Sequence, residues 1–131
     1  MAANGPRQPA QIGASSSVAI TTYVIIWEFR VKQDRRAAFE EAYGPAGIWG
    51  KFFKRGEGYV GTELLRRSDE LGLYFTIDRW VSQAAFEGFR AKWREEYDAI
   101  DRRCEELTEF ERRVGAFDTV GPTQLPEGGD L

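Results

Sequence analysis

The chain has 131 residues, 18 basic and 21 acidic side chains mixed along its length, a formal net charge of −3, and no histidine. One domain is what that length supports, and the absence of a basic stripe to neutralise phosphates argues against a nucleic-acid partner. Without histidine there is no Ser-His-Asp or Cys-His nucleophile, no histidine-ligated zinc or iron and no histidine-held haem.

Carboxylates alone would have to hold a metal, and Asp and Glu are scattered without calcium-loop spacing, so no metal site is expected. The single cysteine, Cys104, can form no internal disulfide, which fits a reducing cytoplasm.

Residues 1–20 are rich in Gly, Pro, Ala, Ser and Gln and are expected to form a mobile tail. They lack the apolar stretch of a secretory signal. Residues 121–131 read the same way, which leaves a folded domain over 21–120.

The segment Tyr23–Val31 is β-branched and aromatic and predicts a strand. Tyr23, Ile25, Trp27, Phe29 and Val31 lie on one face, with Val24, Ile26, Glu28 and Arg30 on the other. The longest apolar run, Tyr23–Trp27, is far too short to cross a bilayer. Asp34 is placed to cap a short helix over 35–43, in which Phe39 and Tyr43 stand four apart. After Gly44-Pro45, the spacing of Ile48, Trp49, Phe52 and Phe53 predicts a second helical piece running to Arg55.

Gly56-Glu57-Gly58-Tyr59-Val60-Gly61 then matches G-x-G-x-x-G, a dinucleotide-binding pattern that requires a strand before it and a helix after it. Here a helix precedes and a strand follows, so no nucleotide cofactor is expected. The glycines read as mechanical instead: Gly56 ends the helix in a left-handed turn, Gly58 helps reverse the chain, and Gly61 lets the strand start close to a neighbour.

Strands over 59–67 and 73–80, joined by the polar turn 68–72, predict a hairpin. Ser82 caps one long helix whose apolar positions Phe86, Phe89, Trp93, Tyr97, Ile100, Cys104 and Leu107 step by three or four. Residues 112–120 alternate weakly and read as an edge strand. The order β-α-β-β-α-β is the ferredoxin-like α+β arrangement, with both helices on one face of an antiparallel sheet. The other face keeps uncovered apolar side chains, which predicts a homodimer packed sheet to sheet.

Trp80-Val81-Ser82-Gln83-Ala84-Ala85-Phe86 resembles the W-x-S-x-x-A-[FY] passage of the antibiotic biosynthesis monooxygenase family. The Gly58-Tyr59-Val60-Gly61 start of the second strand agrees with it. The resemblance covers about residues 23–117. It implies a dimeric α+β barrel with a pocket between each sheet and its helices, and oxygenation of electron-rich aromatic or polyketide-type molecules without metal, flavin or nicotinamide. Trp80 matches the family tryptophan that faces the pocket. The anthrone-oxidising type has asparagine where this chain has Thr76, and tyrosine where it has Phe86.

Tyr74, Thr76 and Asp78 share a strand face with Trp80. Tyr74 and Asp78 are the candidate catalytic groups, with Asp78 either a proton acceptor of raised pKa or a solvated strand end. Trp80, Thr76, Phe86, Trp27 and Trp49 are the candidate substrate contacts. Trp80 is most simply a core residue locking the hairpin to the long helix, with pocket wall as the alternative. Trp27 needs no special role as a core residue, and Trp49, Phe52 and Phe53 either cover a pocket as a flap or fill the end of the core. Cys104 reads as packing. Two functions fit: an oxygenase acting on an aromatic substrate, or a non-enzymatic dimeric module that binds a hydrophobic small molecule.

Overall fold

A computed structural model of the protein describes residues 21–121. Both expected tails, Gly121 apart, lie outside the described residues. One compact unit covers Thr22–Asp118. Its strands are β1 (Tyr23–Val31), β2 (Tyr59–Arg66), β3 (Leu73–Trp80) and β4 (Thr108–Asp118). Helices α1 (Arg36–Tyr43) and α2 (Ile48–Phe53) follow β1, and α3 (Gln83–Lys92) and α4 (Arg94–Cys104) follow β3. The sheet has the order β2-β3-β1-β4 with every pair antiparallel, which is the ferredoxin-like α+β fold. Among the described residues no helix is long and apolar enough to cross a membrane.

Strand pairing decides which side chains meet the helices, because directly opposed residues share a face. Tyr23 pairs with Trp80, Ile25 with Asp78, Trp27 with Thr76 and Phe29 with Tyr74. This face is covered: Phe39 and Tyr43 of α1, Trp49, Phe52 and Phe53 of α2, Phe86 and Phe89 of α3, and Ile100 and Cys104 of α4 complete a single core. The aromatic residues interlock through tilted and edge-on contacts, such as Phe39 with Tyr74 at 4.9 Å and Phe52 with Phe89 at 4.9 Å between ring centres. Cys104 is buried in that core, as its helical position suggested.

Two expectations about the helices are corrected. The helix after Ser82 is not continuous: it breaks at Trp93, whose backbone angles are φ −111° and ψ 31°. The break lets the apolar rows of α3 and α4 each meet a sheet that twists beneath them. Ser82 does cap α3, its Oγ accepting the Ala85 N–H at 3.0 Å. Asp34 is not an N-cap, because the chain first makes a 3-10 turn over Gln33–Arg35, closed by the Arg35 N–H on the Lys32 carbonyl at 2.9 Å. The α-helix then begins at Arg36 without a side-chain cap.

The glycine reading also shifts, by two residues. The left-handed residue is Gly58, at φ +92°, and not Gly56. Gly56 is required for a different reason: a Cβ there would lie 2.7 Å from Phe89 Cδ1 and 2.8 Å from Trp80 Cη2. Gly61 has open space around it, so close approach is not its role. It stands beside the irregularity where Tyr59 and Gly61 bracket an unpaired Val60. The motif nonetheless sits between α2 and β2, the reverse of a dinucleotide-binding turn.

Candidate functional site

A cavity of about 110 Å³ lies between the inner face of the sheet and the helices. Trp27 and Phe29 of β1, Thr62 of β2 and Thr76 and Asp78 of β3 form its floor. Tyr43, Trp49, Phe53, Arg90, Tyr97, Asp101 and Glu111 complete the wall.

Register builds its polar end. Thr62 is the direct β2 partner of Asp78, and Thr62 Oγ1 donates to Asp78 Oδ1 at 2.7 Å. Thr62 Oγ1 also meets the Tyr59 hydroxyl at 2.6 Å. A hydroxyl carries one hydrogen. With Thr62 donating to Asp78, Tyr59 must therefore donate to Thr62, so the three groups form a chain running Tyr59 to Thr62 to Asp78. Among the described residues the second carboxylate oxygen of Asp78 takes no side-chain hydrogen bond, and it is free to accept from a ligand.

Burial pushes the Asp78 carboxyl up to about 6, against a smaller lowering by the Thr62 hydroxyl. Thr76, only 4% exposed, lies beside Asp78 on the same face. Burial also raises Tyr59, opposed by Thr62.

The cavity wall also carries one cation among carboxylates. The Arg90 guanidinium lies 5.0 Å over the Tyr97 ring. Burial pushes the Tyr97 hydroxyl up to about 12, with Arg90 acting against the rise. Burial, then Glu105 and Asp98, raise the Asp101 carboxyl. Burial followed by repulsion from Asp101 and Glu105 raises Glu111.

The candidates read from the sequence thus divide. Asp78, Thr76, Trp27 and Trp49 come together around the cavity. Tyr74 does not line it: this residue is 1% exposed, and its hydroxyl donates to Glu40 Oε2 at 2.5 Å, which also receives Arg66 at 3.0 Å. Trp80 is wholly buried between Phe53, Tyr59, Phe86 and Phe89, outside the cavity lining. Phe86 packs on Tyr23 and Trp80 and lines an adjoining groove instead. Phe52 fills the core between Trp49 and Phe89, whereas its neighbour Phe53 reaches the cavity wall.

Sequence reasoning missed Thr62, Arg90, Tyr97 as a wall residue, Asp101 and Glu111. A signal for Thr62 existed: in a hairpin centred on Glu70, positions 62 and 78 are equidistant from the turn and must face each other. Arg90, Tyr97 and Asp101 are spaced seven and four apart, one helical face. Glu111 had no such signal, because β4 begins at Thr108 and not at Arg112.

The antibiotic biosynthesis monooxygenase family model matches residues 22–102. Among solved structures, a point variant of SnoaB, a cofactor-independent oxygenase from Streptomyces nogalater, is 22% identical with a TM-score of 0.59, covering 81% of this chain and 98% of that one. A Nitrosomonas europaea protein proposed to be an antibiotic biosynthesis monooxygenase is 18% identical with a TM-score of 0.60, covering 79% and 94% respectively. Comparison with curated proteins returns no significant match.

Proposed function

This chain belongs to the antibiotic biosynthesis monooxygenase family, and on that premise we propose that it is a cofactor-independent oxygenase of an electron-rich aromatic molecule. The observation that carries the reading is Asp78: a carboxyl of raised pKa at the polar end of a cavity walled by Trp27, Phe29, Trp49 and Phe53. A group titrating near 6 is ionised at neutral pH yet basic enough to take a phenolic proton.

The chemistry balances with dioxygen as the only oxidant. The phenol passes its proton to Asp78, and the phenolate gives an electron to dioxygen. The two radicals join through a new C–O bond as a peroxide anion. Asp78 returns the proton to the peroxide. The O–O bond then breaks, the ring carbon loses its hydrogen, and a quinone carbonyl and one water result. Aromatic walls exclude bulk water from the reactive intermediate, and the Arg90 guanidinium stabilises the anionic stages electrostatically. The catalytic unit is a homodimer formed through the uncovered sheet face, and the chain works in the cytoplasm.

Oxygen uptake across a panel of one-ring hydroquinones and of anthrones tests the reading, and turnover of either class supports it. Uptake above the uncatalysed rate is expected, with kcat/KM rising with pH through about 6 as Asp78 ionises. Asp78→Asn should lose at least about 100-fold of that rate. Aromatic ligands that bind without any catalysed uptake would replace the oxygenase with a binding module of the same fold.

A further inference from the structure

The cavity borders a second concavity. Trp27, Arg90 and Tyr97 also wall an adjoining groove of about 470 Å³, whose other side chains include Tyr23, Arg94 and Arg113. Strand register delivers Arg113, the β4 partner of Trp27. Arg90 and Arg94 stand four apart across the break at Trp93, so both project towards the same groove.

Arg30, Arg55, Arg66, Arg67, Arg79 and Arg112 all form ion pairs. Among the described residues, Arg90, Arg94 and Arg113 form none, a lack they share with Arg35, Arg36, Arg102 and Arg103. What sets these three apart is that all of them line one groove. Glu87 is the one acid lining the groove, and its Oε2 receives Gln83 Nε2 at 2.8 Å. In a chain of net charge −3, three unpaired guanidiniums around one aromatic-floored groove make a local positive field where the overall charge is negative. The inner cavity has the opposite bias, with Asp78, Asp101 and Glu111 against Arg90 alone.

Size restricts the ligand further. A cavity of about 150 Å³ accommodates one benzene ring. At about 110 Å³ the present cavity holds no more than one ring, and a larger ligand must extend into the adjoining groove.

We propose that the ligand is a one-ring hydroxyarene bearing a carboxylate. Its ring lies in the cavity with the hydroxyl donating to Asp78, and its carboxylate rests in the groove among Arg90, Arg94 and Arg113, where planar guanidiniums match a carboxylate's two oxygens. This assignment rests on the oxygenase reading of the same cavity and adds to it the size and charge of the substrate.

Anaerobic titration followed by tryptophan fluorescence tests it, since Trp27 and Trp49 line the cavity. The ligands are 2,5-dihydroxyphenylacetate, its methyl ester and anthrone. The acid should bind about ten-fold more tightly than the ester, with an advantage that shrinks as salt is added. Anthrone, which has no carboxylate for the arginines and exceeds the cavity, should bind more weakly than the acid. Arg94 and Arg113 are exposed, so the Arg94→Gln, Arg113→Gln double variant should fold. It should lower the acid to the affinity of the ester and leave the ester unchanged, which also reports intact folding. Equal binding of acid and ester, an advantage that survives in the double variant, anthrone binding as tightly as the acid, or no binding by any of the three would each overturn the assignment. Oxygen is absent from the measurement, so the two readings can fail separately. Expected binding without oxygen uptake removes the oxygenase and keeps the ligand; anthrone turnover without acid binding does the opposite.

Discussion

Asp78 is kept at a cost to the fold, and that cost can be measured. Its carboxyl titrates near 3.8 when unperturbed and near 6 in the folded chain. A folded pKa above the unfolded one means the native state binds the proton more tightly. Stability from this group is therefore greatest below about 3.8, falls as pH rises between the two values, and stays reduced above about 6. The full difference amounts to about 3 kcal/mol as an upper figure. Asp78→Asn removes the charge and keeps an oxygen to accept from Thr62. The variant should be more stable than the parent at pH 8, by roughly 1–3 kcal/mol in urea denaturation, and the gap should close as the pH approaches 4. Equal stability of the two proteins across pH 4–8 would show that Asp78 is not desolvated. A gain in stability coupled to a loss of turnover would mark the residue as retained for chemistry rather than for folding.

At the scale of elements, two aromatic rings fix the path of the chain into β2. Gly56 passes directly against Phe89 and Trp80, both of which are packed on all sides and cannot swing away. Gly56→Ala therefore forces a methyl group into the core and should cost about 1–3 kcal/mol, read as a lower urea midpoint with an unchanged m-value. An alanine variant as stable as the parent would mean that the loop simply shifts outwards. The sequence marked this position, but for the wrong reason: helix ends attract glycine, and nothing local reveals that Trp80 arrives there from β3. The same limit explains the other differences. β1 and β3 were legible because β-branched and aromatic residues are concentrated in them, and β2 because a short polar turn joins it to β3. The break at Trp93 was not, since the apolar steps run unbroken from Phe86 to Leu107 and only the twisted sheet beneath decides that the helix bends. The start of β4 was hidden by Glu105, Glu106, Glu109 and Glu111, a charged run that reads as a solvated helix end. Alternation placed Asp78 on one strand face with Tyr74, Thr76 and Trp80, and Trp27 on one face with Phe29, without telling which faces the helices cover. The cavity neighbours Arg90, Asp101 and Glu111 come from elements 12 to 33 residues away from β3's Asp78, so only tertiary structure brings them together.

For the whole molecule, the decisive feature is the sheet face that no helix covers. Ile26, Phe75 and Ile77 stand on it, and Leu65, Phe110 and Phe117 extend it to both edges through their pairings with Phe75, Arg30 and Val24. Leu65, Phe110 and Phe117 are each more than 40% exposed. Leaving large apolar side chains in water forgoes about 1.5–3 kcal/mol apiece, and contiguous patches of this kind mark interfaces. The charges on this face do not oppose burial as isolated ions. Glu28 receives Arg112 at 2.7 Å, and Arg79 is bound to Glu63, so each already has its counter-charge within the chain. A second copy related by a two-fold axis supplies the most economical cover, because one patch then serves both partners. Light scattering should give twice the chain mass of 14.9 kDa. Phe75→Glu together with Ile77→Glu places four unpaired carboxylates between two such sheets and should return the mass to that of one chain, at protein concentrations where the parent stays paired. The inner core contains neither residue, so the variant should retain its far-UV circular dichroism. A parent that scatters as a single chain at micromolar concentration would leave this face without a second copy of the protein as its partner.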